Sequence, residues 1–275
     1  LYGSPNFMSP INMSVGPVIM ASAGISGMGI LGPDIANSRC VTLWGHNPEH
    51  SFPGLYGLAV QRALQNGAKL IVVDPRGIRI ARKADHWLQI RPGTDAALAL
   101  CMINVVIEND LYDKQFVEKW TVGFDRLKEH VKPFTLDKCA EITDIPARDI
   151  ESAAFTFARA ESAALAPGMA SMCQQSNAFQ IGRAMTCLIA ITGNLDIPGG
   201  TVSWQLPNVD RHILGPHYDV CLNLPKDQSA KQLARRVRVT WRTTRVLRPH
   251  NASSTQRVAR NTDLPLPGAP MMAKL

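Results

Sequence analysis

Three runs decide the fold: RCVTLWGHNP at 39–48, KLIVVDPRG at 69–77 and HWLQIRPGTD at 86–95. Each opens on an apolar, strand-like stretch and closes in a loop rich in Gly, Pro, Asn and Asp. Strands covered on both faces read as continuous apolar runs, which is the mark of a parallel sheet. Such a sheet presents polar groups at its carboxyl edge, where open α/β sheets bind ligands. Between the first two runs, residues 55–66 place Leu55, Leu58, Ala59 and Ala63 at helical spacing and stop at Gly67.

Working outward, the spacing predicts a helix over about 96–108 and others over 110–120, 123–130 and 147–160. A further short strand is expected at 162–166 and a long helix at 178–191, which ends at TGNLDIPGG. Strand, loop, helix and glycine stop recur in the manner of a doubly wound α/β fold with a mostly parallel sheet. The organisation expected is a glycine-rich segment at 1–36, an α/β domain at 37–205 and an irregular tail at 206–275. Residues 15–32 are uncharged and as long as a membrane span, but Pro and repeated Gly favour a buried segment packed near a ligand. Gly24, Gly27 and Gly29 have the wrong spacing for a nicotinamide fingerprint.

The formal charge of +7 is misleading until it is located. Residues 226–275 hold eleven Lys/Arg and two acids, so the first 225 residues carry 18 basic and 20 acidic groups. The basicity belongs to the tail, and a nucleic-acid partner is not expected. Cysteines at 40, 101, 139, 173, 187 and 221 contain no C-x-x-C pair. That argues for buried thiols and against a zinc or iron–sulfur site built within this chain. The start at Leu1 lacks a charged-then-apolar leader and reads as internal to a longer protein, so no compartment is assigned.

Chemistry is expected in the three loops. Trp44-Gly45-His46-Asn47-Pro48 follows a strand directly; Gly45 permits close approach to the backbone, and Asn47 offers both donor and acceptor. The plain alternative is a strand-to-helix turn. Asp74, between Val73 and Pro75, suits ribose hydroxyls, and Arg76 suits a phosphate; the alternative is a helix-capping Asp. Asp95, after Gly93 and Thr94, could accept the N1–H and amino group of guanine side by side, with an N-cap role for Thr94 or Asp95 as the alternative. A metal-free Rossmann-like nucleotide module remains a second class, although WGHNP is not its fingerprint.

WGHNP, VVDPRGIRIARKADHWLQIRPGTDAALAL and GMASMCQQSNAFQIGRAMTCLIAITGNLDIPGG together resemble the large subunits of dimethyl-sulfoxide-reductase-type molybdopterin oxidoreductases. The resemblance covers residues 1–204 and rests on three motifs in the right order. It implies molybdenum or tungsten held by two molybdopterin guanine dinucleotides, with a small-molecule substrate. Two-electron chemistry and iron–sulfur electron transfer to a partner subunit are implied, with a membrane anchor subunit in some relatives. The loop from Trp44 to Ser51 is then expected to meet phosphates and pterin, Val73 to Gly77 the nucleotide, Gly93 to Asp95 the guanine, and Gln174 a pterin. Laying SPINMSVGP over the family's metal-ligating region puts Ser14 at the ligand position, where a deprotonated hydroxyl is a reasonable hard donor.

A [4Fe–4S] cluster belongs to the full-length enzymes of that family, and this chain carries no cysteine cluster to ligate one. The tail beyond Trp204 departs from the family's pattern, as a truncated gene with an out-of-frame end would, and the chain alone is expected to be inactive. Thiosulfate- or polysulfide-reductase-like members and acetylene-hydratase-like ones, which use the same cofactor without net redox change, are the nearest in kind.

Overall fold

The structure, a computed structural model, describes residues 15–28 and 31–203. A helix, Val15–Ser26 (α1), and a short strand, Leu31–Pro33 (β1), precede the central strand Cys40–Trp44 (β2). Pro48–Ser51 (α2) and Leu58–Gln65 (α3) lead to Lys69–Val73 (β3), and a 3-10 turn at Arg79–Lys83 leads to His86–Leu88 (β4). Five helices follow: Asp95–Glu108 (α4), Lys114–Trp120 (α5), Phe124–Val131 (α6), Leu136–Thr143 (α7) and Ala147–Arg159 (α8). Ala163–Pro167 (β5), Met169–Cys173 (α9), Ala178–Ile191 (α10) and Thr201–Ser203 (β6) complete the described part.

The four main strands form a parallel sheet in the order β4-β3-β2-β5. The chain therefore steps outward from β2 to β3 to β4, then returns to the far side of β2 for β5. That reversal makes a topological switch point between β2 and β5, where Trp44 lies level with Pro167. Alternate residues of each strand enter different cores, because successive side chains point to opposite faces. Cys40, Trp44, Ile71, Val73 and Leu165 join α4 and α10 on one face. Val41, Leu43, Leu70, Val72 and Ala166 pack with Val60 and Ala63 of α3 on the other. Helices on both faces bear out the doubly wound α/β expectation.

Local details differ from the sequence reading. The helix expected over 55–66 begins only at Leu58, because Pro53–Gly57, with two glycines, takes a wider π-type turn. The helix expected over 110–120 starts at Lys114: Asp110 has φ 55, and Asp113 caps the new helix by accepting from Phe116 N at 2.8 Å. α7 and α9 were not foreseen, and the glycine-rich segment expected at 1–36 contains the helix α1. α1 lies against α10, and β1 pairs antiparallel with β6. Twelve residues of α1 span about 18 Å; among the described residues no helix is long and apolar enough to cross a membrane. Cys40, Cys101, Cys139 and Cys187 are buried and Cys173 is half-buried. Burial pushes the Cys40 and Cys187 thiols up to about 12, so both are packing groups near neutral pH. Cys221, Ser14 and the tail from 206 onward lie outside the described residues.

Candidate functional site

At the carboxyl edge, the ends of β2 and β3, the loop after β4 and the segment after β5 enclose a cavity of about 660 Å³. That volume lies within the range of small-molecule sites. Of the residues expected at a ligand, Gly45, Val73, Asp74, Pro75, Arg76, Gly93, Asp95 and Gln174 line it.

The switch point shapes one wall. Gly45 N donates to Val73 O at 2.7 Å and Gly168 N to Trp44 O at 2.7 Å, tying three strand ends together. Gly45 has φ +58, and a Cβ there would stand 2.8 Å from the Ser171 Cβ. Ser171 Oγ bridges the carbonyl oxygens of Trp44 and Gly168 at 3.0 and 2.8 Å. Glycine at 45 thus serves both the left-handed turn and the close approach of the β5 segment.

Asp74 is 2 % exposed. Its Oδ1 accepts from the Arg76 backbone N–H at 2.8 Å and from Arg76 Nε at 3.4 Å. No protein group among the described residues bonds to its Oδ2. The carboxylate closes a turn rather than capping a helix, and one oxygen stays available to a ligand hydroxyl. From outside, Trp87 Nε1 donates to Asp74 O at 3.0 Å and Gln89 Nε2 to Pro75 O at 3.1 Å, so β4 and its exit hold this loop in place.

Asp95 opens α4 and is 4 % exposed. Trp44 Nε1 donates to its Oδ1 at 2.8 Å, and Gln175 Nε2 donates to its Oδ2 at 2.6 Å. The carboxylate is therefore already engaged by protein donors on both oxygens, which the side-by-side expectation did not anticipate. Thr94 does not cap the helix; its hydroxyl donates to Arg91 O at 2.7 Å.

Several expected residues stand off the cavity wall. The Trp44 side chain is fully buried beneath it and reaches the site only through Asp95. His46, Asn47 and Pro48 continue the β2 loop behind Gly45, Ser51 is exposed at the end of α2, and Gly77 faces the Trp87 ring. Conversely, Ser171, Gln175, Ser176 and Asn177 line the cavity and were missed. The available signal was the polar run QQSN at 174–177, which follows α9, and it does not include Ser171.

The His46 ring packs edge-on to Tyr56 at 5.4 Å between centroids, and its Nδ1 is buried without a partner. Burial holds this imidazole below the usual histidine range, and its hydrogen bond to the Ala166 backbone offsets that only in part. As pH falls through 6.5, the ordinary value, the unfolded chain takes up the proton before the folded one. His46 thus leaves stability intact above that pH and erodes it below. Urea midpoints are expected to fall between about pH 7.5 and 5, with a shallower slope in His46→Gln. A wild-type midpoint that does not move with pH would show that the imidazole is not held neutral.

The family model described as "Molybdopterin oxidoreductase" matches residues 7–267. The chain belongs to the molybdopterin oxidoreductase family. Within the family, it is 43% identical over 195 residues to acetylene hydratase of Syntrophotalea acetylenica, covering 70% of this chain and 26% of that protein. It is 38% identical over 170 residues to formate dehydrogenase H of Escherichia coli, covering 62% and 24%. Against the thiosulfate reductase molybdopterin-containing subunit PhsA of Salmonella typhimurium it is 34% identical over 216 residues, covering 78% and 28%. The solved structure of acetylene hydratase from Pelobacter acetylenicus superposes with a TM-score of 0.68 at 40% identity, over 73% of this chain and 27% of that one. The chain spans about a quarter of the length of these relatives.

Proposed function

We propose that this chain is the nucleotide-binding α/β part of a molybdopterin oxidoreductase catalytic subunit, and that its carboxyl-edge cavity takes the guanosine diphosphate end of a molybdopterin guanine dinucleotide. The observation that carries this reading is a cavity flanked by two buried carboxylates, Asp74 and Asp95, at the switch point of the sheet. The residues suit such a group. Asp74 Oδ2 can accept from a ribose hydroxyl, and Arg76, whose side chain is 72% exposed, can reach a diphosphate. Asn47 Oδ1, His46 Nδ1 and Gln175 Oε1 are buried polar atoms without protein partners, in the two segments that border the cavity. Buried polar atoms in native proteins are ordinarily paired, and of these three residues Gln175 lines the cavity, where a polar ligand can supply what its Oε1 lacks.

When bound, the cofactor supplies a molybdenum or tungsten centre for two-electron chemistry, while the protein supplies binding, orientation and electrostatics. Among the described residues no group of three or more His, Cys, Asp or Glu could hold a metal ion. A second dinucleotide, Ser14 as a metal ligand, and iron–sulfur and membrane-anchor partners complete the proposal for the whole protein. They rest on the resemblance alone. Near-normal turnover of Ser14→Ala with full metal content would remove Ser14 from the site.

The direct test is equilibrium binding of GDP to this chain, with ADP as control. Absence of GDP binding, or equal affinity for ADP, would overturn the reading. For the whole protein, acid release should yield guanine nucleotide together with molybdenum or tungsten, and finding none of these would refute it. A hydratase reading on the same cofactor is favoured by the 43% identity to acetylene hydratase. Water addition to acetylene without net consumption of an electron acceptor would select it over a redox reaction.

A further inference from the structure

The engagement of both Asp95 oxygens raises the question of what reads the base. The Gln175 amide answers it, because its orientation is dictated by its neighbours. Nε2 lies 2.6 Å from Asp95 Oδ2 and 3.0 Å from the Ser171 carbonyl oxygen. Turning the amide over would set its oxygen against two acceptors, so both amide hydrogens are committed to them. Oε1 is left facing no protein donor and is buried. Gln175 also lines the cavity, beside Asp95 and together with Asp74 and Gly93. A buried acceptor without a partner, on a residue that borders a ligand cavity, is costly unless the ligand brings a hydrogen to it.

We infer that Gln175 Oε1 accepts a hydrogen from the exocyclic amine of guanine and sets the base specificity of the cavity. The inference rests on the reading of the cavity as a guanine nucleotide site. The base edge is then read by two residues rather than by one carboxylate: Asp95 Oδ2, held by the Gln175 amide, accepts the ring N1–H, and Gln175 Oε1 accepts the amine. Adenine carries no donor at either of those ring positions, and hypoxanthine keeps the ring N–H but lacks the amine. Gln175 thus has two tasks in the same side chain. It aligns Asp95, and it discriminates.

Inosine diphosphate differs from GDP only in that amine, which makes the ratio of their affinities the natural readout. Wild type is expected to bind GDP about tenfold or more tightly than IDP, the scale of one buried acceptor left unpaired. Gln175→Met, close in volume but without the acceptor, is expected to lower GDP affinity about tenfold more than IDP affinity, since both nucleotides lose the amide that aligns Asp95 but only GDP loses the acceptor for its amine, and so to erase the preference. Thermal melting identifies a misfolded variant, and the wild-type comparison of the two nucleotides needs no variant at all. Equal affinity of wild type for GDP and IDP would overturn the inference. So would a GDP preference that survives in a folded Gln175→Met protein. Failure of wild type to bind GDP would instead bring down the guanine-site reading itself, so the two failures are distinguishable.

Discussion

Gly168→Ala is expected to destabilise the fold by about 3 kcal/mol or more, which places it among the most damaging single-methyl additions a core can suffer. The added Cβ would stand 1.8 Å from the Gly45 carbonyl oxygen, 2.6 Å from its carbon and 3.2 Å from the His46 Cα. All three are backbone atoms, so no side chain can swing aside. Nor can the backbone retreat easily. Gly168 N is bonded to Trp44 O at 2.7 Å and Gly45 N to Val73 O at 2.7 Å, which fastens the exits of β2, β3 and β5 to one another. For a domain of this size the loss corresponds to a fall in melting temperature of roughly 6–12 °C. Gly54→Ala is the matched control, since nothing lies within 4 Å of its Cβ position; it should change stability by about 0.5 kcal/mol at most. Equal melting of Gly168→Ala and wild type would mean that the β2 and β5 loops do not meet as described.

The second large effect is expected at Asp95. Asp95→Ala leaves the Trp44 indole N–H and one Gln175 amide N–H without their acceptor in a buried setting. Each unpaired donor costs about 1–3 kcal/mol. The variant also removes a negative charge from the first turn of the fourteen-residue α4, where the helix dipole favours one. Stability should fall by about 2–4 kcal/mol, and GDP affinity by about 100-fold, because the ligand loses an acceptor and Gln175 loses its anchor. Asp95→Asn should fall between, since its amide can accept from one of the two donors but confronts the other with a donor of its own. Melting curves and calorimetric titration with GDP measure both effects. A folded Asp95→Ala protein that binds GDP like wild type would place the nucleotide elsewhere.

These two positions also show why part of the site was readable in advance and part was not. Gly45, Asp74 and Asp95 each follow an apolar run within a few residues, and a parallel sheet delivers every such loop to one edge. Their presence around a common cavity follows from local pattern alone. Gln175 was overlooked although its neighbour Gln174 was expected and also lines the cavity, because α9 and the turn after it gave no periodic signal for how many of these side chains reach it. Ser51 was expected at the ligand by its place in the loop, yet the short α2 carries it to the surface. The helix α1 was obscured by Gly16, Gly24 and Pro17, which are tolerated where the segment lies against α10.

The sequence by itself determined the α/β class, the strands expected at 39–44 and 69–73, and the loops that come to border the cavity. Apolar runs and glycine or proline breaks act over a few residues and need no partner to be read. Tertiary structure alone decided which groups meet. Trp44 reaches Asp95 across 51 residues, Gln175 reaches it across 80, and Ser171 reaches Trp44 across 127. Those pairings depend on β5 returning to the side of β2 opposite β3. Strand order is set by how the helices cover both faces of the sheet, a property of the whole packed chain that no local stretch encodes.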